Sequence, residues 1–225
     1  ADRETNEGVV IAVINNDGSF GTIMGLGCET DFVAKNQAYI DFAKSISDVA
    51  MANKAESKEA LMAMTMDGIT IAEKIAEQVG KIGEKIDITD YALLSAETVV
   101  AYNHSNGKVG VLVAMNKKGE AVETVGKDVT MQIAAMSPIA IDKNDVPEEV
   151  KTREMEIGRE QARAEGKPEA ILEKIATGKL EAYFKDATLL NQKFVKDNSK
   201  SIRDVLTAVD KDLTVTAFKR IGLGA

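Results

Sequence analysis

The fold depends on one connection, which has the sequence Cys28-Glu29-Thr30-Asp31-Phe32-Val33-Ala34-Lys35-Asn36. β-type residues precede it and an amphipathic helical pattern follows it, so it links a strand to a helix at the surface. Phe32 is one of only six phenylalanines in a chain without tryptophan. Its ring follows the Asp31 carboxylate and is a candidate binding group. The alternative is that Phe32 belongs to the core or packs back on the helix as a staple.

The segment before this connection predicts a β-hairpin. An apolar run from Val9 to Ile14 and a β-type run from Phe20 to Met24 flank the turn Asn15-Asn16-Asp17-Gly18. Asp-Gly between two such runs is a hairpin signal, because glycine tolerates a positive φ. The hairpin therefore leads the chain into the Thr30–Val33 connection.

The segment after the connection predicts helices and a third strand. Apolar residues recur three and four positions apart from Tyr39 to Ala50, and Asn36 or the earlier Thr30 can cap this helix. Residues 56–66 and Ile69–Ile82 predict two more helices. Ile86–Leu93 predicts a strand that completes the first unit.

The same order then begins again, which indicates an internal duplication. Strands are predicted at Thr98–Tyr102 and Val109–Val113 around the turn Ser105-Asn106-Gly107, and a helix is predicted at Val122–Met136. Aligning the two turns pairs the following positions: Gly18 with Gly107, Gly21 with Gly110, Ile23 with Leu112 and Met24 with Val113.

A charged segment interrupts the second unit. Pro147 to Gly166 and Pro168 to Phe184 predict an antiparallel helical hairpin, because glycine favours the end of one helix and proline the start of the next. Its first helix is poor in apolar residues, so we expect the hairpin to project into solvent or to meet a second subunit. A short helix at Ser201–Val209 and a strand at Val215–Ile221 follow.

The predicted fold class is α+β. It comprises two related subdomains, each an antiparallel three-stranded sheet with helices, plus a projecting antiparallel helical hairpin. The predicted domains are an N-terminal core subdomain (1–96), a C-terminal core subdomain in two parts (97–146 and 185–225) and the inserted helical hairpin (147–184).

Composition excludes several classes of function. The chain has 225 residues, 44% of them apolar, and a net charge of −8, which argues against direct nucleic-acid binding. No apolar run approaches the length of a membrane span, and no secretory leader opens the chain. One cysteine and one histidine cannot form a Cys/His zinc site, and a single cysteine fits a reducing compartment. We therefore expect a cytoplasmic protein without a metal, a cofactor or a membrane partner.

Motifs for catalysis are absent from the sequence. There is no phosphate-binding loop of the form G-x-x-x-x-G-K-[ST]. Gly25-Leu26-Gly27 precedes a helix, but the third glycine position of a dinucleotide fingerprint is Thr30. His104 is isolated near a turn, and Cys28 at a strand end favours a small buried residue over a nucleophile. We expect no enzymatic activity.

Several segments, in the same order along residues 1–215, resemble the bacterial translation elongation factor Ts family. They are the stretch 28–36, Gly107–Val113, Met131–Ala135, Gly166–Glu169 and Leu189–Asp197. Lys193 stands where that last motif usually carries proline. Family members usually begin with a small ubiquitin-associated-like helical module, and this chain resembles the part that follows it.

The resemblance implies a guanine nucleotide exchange factor in translation elongation, which binds the GTPase elongation factor Tu and promotes GDP release. It implies that Thr30, Asp31, Phe32 and Val33 perturb the magnesium and phosphate site of that partner. It also implies that the second hairpin, with His104, Gly107 and Gly110, contacts the partner. The helical hairpin is a candidate for coiled-coil homodimerisation. The alternative is a scaffold or subunit-association module without exchange activity.

Overall fold

The computed structural model describes residues 3–224, which form two compact units. One, here called the sheet unit, comprises residues 3–135 and 215–224. The other, here called the hairpin unit, comprises residues 136–214. Helices and small antiparallel sheets both contribute, so the predicted α+β class is confirmed. The finer subdomain boundaries stay a prediction.

The sheet unit contains eight strands and five helices. Its strands are β1 (Glu7–Ile14), β2 (Phe20–Cys28), β3 (Thr65–Met66), β4 (Ile69–Thr70), β5 (Asp87–Ser95), β6 (Thr98–Asn103), β7 (Val109–Met115) and, last in the chain, β10 (Val215–Gly222). Its helices are α1 (Asp31–Ala34), α2 (Gln37–Asn53), α3 (Lys58–Ala63), α4 (Ile71–Ile82) and α5 (Glu120–Met136).

Two three-stranded antiparallel sheets repeat one topology. The orders are β1-β2-β5 and β6-β7-β10, so the second strand of each hairpin is central and a later strand pairs with its outer side. Both predicted turns form, with Gly18 at φ +70° and Gly107 at φ +74°. The two sheets therefore have the arrangement that an internal duplication predicts.

The two hairpins pack on each other through the positions that the duplication aligns. A Cβ atom added to Gly21 would lie 3.2 Å from Leu112 Cδ2, and one added to Gly110 would lie 3.4 Å from Ile23 Cδ1. Ile23 and Leu112 are fully buried in one apolar cluster. The glycines thus let the sheets approach closely enough for these side chains to fill the space between them.

Helices α2, α3 and α4 and the sheet β1-β2-β5 share one apolar cluster. Its fully buried members include Leu26, Ile46, Leu61, Ile71 and Ile88. Asn36 caps α2 by accepting from the Ala38 amide, and Thr70 caps α4 by accepting from Glu73. This cluster anchors both ends of the strand-to-helix connection, because Cys28 at the end of β2 and Tyr39 near the start of α2 belong to it.

The segment from 56 to 70 differs from the prediction. The expected helix over 56–66 is limited to Lys58–Ala63, and the helix expected from Ile69 begins at Ile71. Between them β3 and β4 form a two-residue hairpin with Asp67 and Gly68 at positive φ. The apolar periodicity runs through this turn and therefore concealed it.

The hairpin unit contains the predicted antiparallel helices and a small sheet that the sequence did not indicate. Its elements are α6 (Glu148–Ala164), α7 (Leu172–Ala187), β8 (Lys193–Phe194), β9 (Asp197–Ser201) and α8 (Ile202–Val209). A 3-10 turn, Glu169–Ile171, precedes α7, so the second helix begins later than the predicted Pro168. Gly158 lies against Ala176, where an added Cβ would be 3.2 Å from its Cα, and this allows the two helices to pack closely.

Candidate functional site

The stretch 28–36 forms a short surface helix between β2 and α2. Thr30 is extended and caps α1, and its hydroxyl accepts a 3.4 Å hydrogen bond from the Val33 amide. The Lys35 amide donates to the Asp31 carbonyl at the end of this helix, and Asn36, the next residue, caps α2. Both predicted caps are therefore used, and the five residues Asp31–Lys35 lie between them.

A loop distant in sequence is hydrogen-bonded to the residues at the start of α1. Glu84 lies between α4 and β5, and its Oε1 accepts from the amides of Glu29 (3.0 Å) and Thr30 (3.1 Å). Its Oε2 accepts a 2.7 Å hydrogen bond from the Thr30 hydroxyl. In the opposite direction, the Glu29 carboxylate accepts a 2.7 Å hydrogen bond from the Lys85 amide. The two loops are therefore joined by carboxylate-to-backbone bonds in both directions.

Phe32 is the most exposed large apolar residue among those the structure describes, at 84% of its full accessibility. Val33 packs against the core cluster and Ala34 is buried, so the helix is anchored on one face only. The interpretation of Phe32 as a core residue is therefore wrong. Its ring borders an open cleft of about 310 Å³, which is lined by Phe32, Val33, Asn36, Ala38, Tyr39, Gln78 and Ile82.

Asp31 points to solvent beside Phe32. Lys35 Nζ lies 3.4 Å from its carboxylate, one helical turn later, and both side chains are largely exposed. Such exposed pairs contribute about 0–1 kcal/mol, so the carboxylate is available to another partner. Asp31 also lines a larger cleft of about 710 Å³ that extends to residues 105–108 of the second hairpin turn.

The second hairpin presents some of its predicted site residues and buries another. His104 is exposed, and its Nδ1 lies 2.8 Å from the Tyr102 hydroxyl. Gly107 lines the larger cleft together with Asp31. Gly110 is buried in the packed sheets, where an added Cβ would lie 2.7 Å from Val10 Cγ1. The structure gives Gly110 a packing role and leaves the turn of the hairpin accessible.

Two titratable groups support the connection from the inside. The Tyr39 hydroxyl donates a 2.7 Å hydrogen bond to the Leu26 carbonyl, and burial raises the pKa of Tyr39. The Cys28 thiol is buried and lies 3.3 Å from the Thr30 carbonyl oxygen; burial raises its pKa to about 11. Cys28 therefore stays a neutral thiol near pH 7, which agrees with the predicted buried residue.

Within residues 3–224, no three His, Cys, Asp or Glu side chains converge as metal ligands. No helix in that range combines the length and apolar character that crossing a membrane requires.

An exposed aromatic ring on a held turn, next to an accessible carboxylate and a second exposed turn, defines a candidate protein-binding surface. The family model described as elongation factor TS matches residues 29–225. Elongation factor Ts of Cytophaga hutchinsonii is 52% identical over 99% of this chain and 81% of its own length. The corresponding protein of Amoebophilus asiaticus is 49% identical over 100% of this chain and 82% of its own, and that of Flavobacterium psychrophilum is 42% identical over 100% and 81%.

The chain therefore belongs to the elongation factor Ts family. Glu84 and Glu29 are the residues of the site that sequence reasoning missed. Glu84 follows the helix-ending Gly83, and nothing in its own neighbourhood indicates a contact with Thr30 54 positions earlier.

Proposed function

We propose that this protein is the guanine nucleotide exchange factor of the GTPase elongation factor Tu. It binds the GDP form, opens the magnesium and phosphate site, and holds the empty form until GTP enters. The observation that carries the proposal is the 84% exposure of Phe32 on a turn held at both ends. Membership of the elongation factor Ts family supports the same partner and the same role in protein biosynthesis.

Exchange requires coupling between two binding sites on the partner. If the factor lowers the affinity of the GTPase for GDP, then GDP lowers the affinity of the GTPase for the factor by the same ratio. Lowering the affinity for a nucleotide ~10⁴-fold requires about 5.5 kcal/mol of binding free energy. Burial of one phenylalanine supplies about 1.5–3 kcal/mol. Phe32 is therefore only part of the exchange surface, and the rest of the interface must favour the opened state of the partner.

The proposed roles follow from exposure. Phe32 inserts as an apolar wedge, and Asp31 competes for or reorders the polar contacts of the magnesium site. Thr30 and Val33 set the start and the anchored face of α1. His104 and Gly107 contact the partner from the second hairpin, whose turn borders the same cleft as Asp31. No covalent step is involved, so the protein is not an enzyme and needs no cofactor.

Stopped-flow release of fluorescently labelled GDP from elongation factor Tu tests the proposal. We expect the chain to accelerate release in a saturable manner. Binding without acceleration would instead favour a scaffold or subunit-association module. The matched control is the Phe32→Ala variant, which should bind through the remaining surface but accelerate release less.

The finer expectations belong to the same proposal. We place the protein in the cytoplasm, without nucleic acid or membrane as a direct partner. We also propose that the helical hairpin, residues 147–184, carries any coiled-coil homodimer contact, since Ile157 and Ile171 on it are partly exposed. Sedimentation of the wild type and of an Ile157→Lys variant tests this: a dimer that the substitution leaves unchanged would place the contact elsewhere.

A further inference from the structure

The bonds of Glu84 fix the start of the exposed helix. One half-buried carboxylate accepts from two amides and one hydroxyl, at 2.7–3.1 Å. Hydrogen bonds to an ionised acceptor are stronger than neutral ones. Because the Thr30 hydroxyl gives its hydrogen to Glu84, its lone pairs are left to accept from the Val33 amide, which is the capping bond of α1.

The exposed helix needs such external support. It has four residues, and an isolated helix of that length does not hold its own shape in water. Val33 and Ala34 anchor one face, whereas Phe32 is almost free of contact with the rest of the chain. The packing of Val33 and Ala34 turns Phe32 outward, and the backbone of Glu29 and Thr30 fixes where the helix begins. Glu84 holds that backbone.

We propose that Glu84 is a positioning residue for nucleotide exchange. It holds Thr30 in its capping conformation, and thereby presents Phe32 and Asp31 in one orientation before the partner arrives. Such preorganisation lowers the entropy cost of binding the opened state. The inference rests on the proposed exchange function and adds a residue outside the 28–36 stretch to it.

A double-mutant cycle on fluorescent GDP release tests this inference. The proteins are the wild type, Glu84→Ala, Phe32→Ala and the double variant. Each is added to GDP-loaded elongation factor Tu at a concentration that saturates the release rate. We expect Glu84→Ala to lower the maximal release rate about tenfold. If Glu84 acts through the placement of Phe32, its removal from the Phe32→Ala protein should change the rate less than twofold. A normal rate for Glu84→Ala, or fully multiplicative losses in the double variant, would overturn the proposal.

Glu73→Ala is the matched control, since Glu73 also contacts the capping threonine of a helix, Thr70 at 3.0 Å, but at another site. Its release rate should stay within twofold of the wild type. If Glu84→Ala does not fold, Glu84→Gln replaces it in the cycle: its amide oxygen can still accept from the two backbone amides, and we expect a loss of about threefold. A Glu84→Gln rate equal to that of the wild type would then overturn the proposal.

Amide hydrogen exchange provides a readout that does not depend on elongation factor Tu. Without Glu84 the amides of Glu29 and Thr30 should exchange at least tenfold faster, while core amides such as that of Leu26 are unchanged. Unchanged exchange at Glu29 and Thr30 would refute the positioning role. Failure of the wild type to accelerate GDP release would instead refute the proposed function itself, so the two failures are distinguishable.

Discussion

The Val10 amide donates a 2.8 Å hydrogen bond to the Gly107 carbonyl, which joins the first strand of one hairpin to the turn of the other. Its counterpart is the 2.7 Å bond from the Val99 amide to the Gly18 carbonyl. Val10 and Val99 are separated by the same number of residues as Gly18 and Gly107. The duplicated hairpins therefore bind each other reciprocally, as the two halves of a symmetric dimer do.

This reciprocal packing predicts the cost of a larger residue at Gly110. An added Cβ would lie 2.7 Å from Val10 Cγ1, so Gly110→Ala should lower the free energy of unfolding by about 1–3 kcal/mol. Urea unfolding of the wild type and of Gly110→Ala measures this difference in the free energy of unfolding. Gly80, exposed in α4 with nothing near its added Cβ, is the control, and Gly80→Ala should stabilise by about 0.5–1 kcal/mol. Equal effects at the two sites would contradict the close approach of the hairpins.

Phe32→Ala should separate exchange from stability. Because Phe32 is 84% exposed, its truncation should change the free energy of unfolding by less than about 0.5 kcal/mol, but slow GDP release severalfold to a hundredfold. The control is Phe184→Ala in the hairpin unit, where the ring is buried and truncation should cost about 3–5 kcal/mol. A stable Phe32→Ala protein with a normal release rate would remove the wedge from the mechanism.

Asp31 should act through its carboxylate rather than through its ion pair. Asp31→Ala and Lys35→Ala both break the exposed 3.4 Å pair, so each should alter the free energy of unfolding by less than about 1 kcal/mol. We expect only Asp31→Ala to slow GDP release. Similar losses in both variants would assign the effect to the ion pair instead.

Cys28 should react slowly with thiol reagents in the folded protein. Burial raises its pKa from an ordinary 9.0 to about 11, so the reactive thiolate at pH 8 is about a hundredfold scarcer than in the unfolded chain. Labelling with a chromogenic disulfide, with and without about 8 M urea, measures this ratio. The raised pKa also makes stability depend on pH. Because the folded state favours the protonated thiol, the free energy of unfolding falls as pH rises from about 9 to about 11. Native labelling as fast as in urea would show that the strand end opens.

The helical hairpin should be dispensable for the folding of the two three-stranded sheets. Both sheets lie in the sheet unit, whereas residues 147–184 lie in the hairpin unit. Replacing 147–184 by a flexible linker should leave a cooperative thermal transition, with circular dichroism reduced only by the helix removed. Phe184 packs with Ala140 and Val146, so we expect local loosening there. A molten or insoluble product would place the hairpin in the main folding unit.

The sequence by itself determined the local elements, because their signals lie within a few residues of one another. Asp17-Gly18 and Asn106-Gly107 specify the two hairpin turns, Thr30 and Asn36 specify the caps, and apolar spacing specifies most of the helices. It also determined the family, since several motifs occur in the same order along the chain. Short strands such as β3 and β8 escaped prediction because two residues carry no periodicity.

Only the tertiary structure decided what the connection presents to solvent. A phenylalanine after a helix cap is compatible with a core contact and with full exposure, and its sequence neighbours do not distinguish the two. Packing of Val33 and Ala34 against the core turns Phe32 outward. The support from Glu84 depends on α4 returning the chain to the end of β2, so Thr30 and Glu84 meet only because the intervening helices pack on the first sheet.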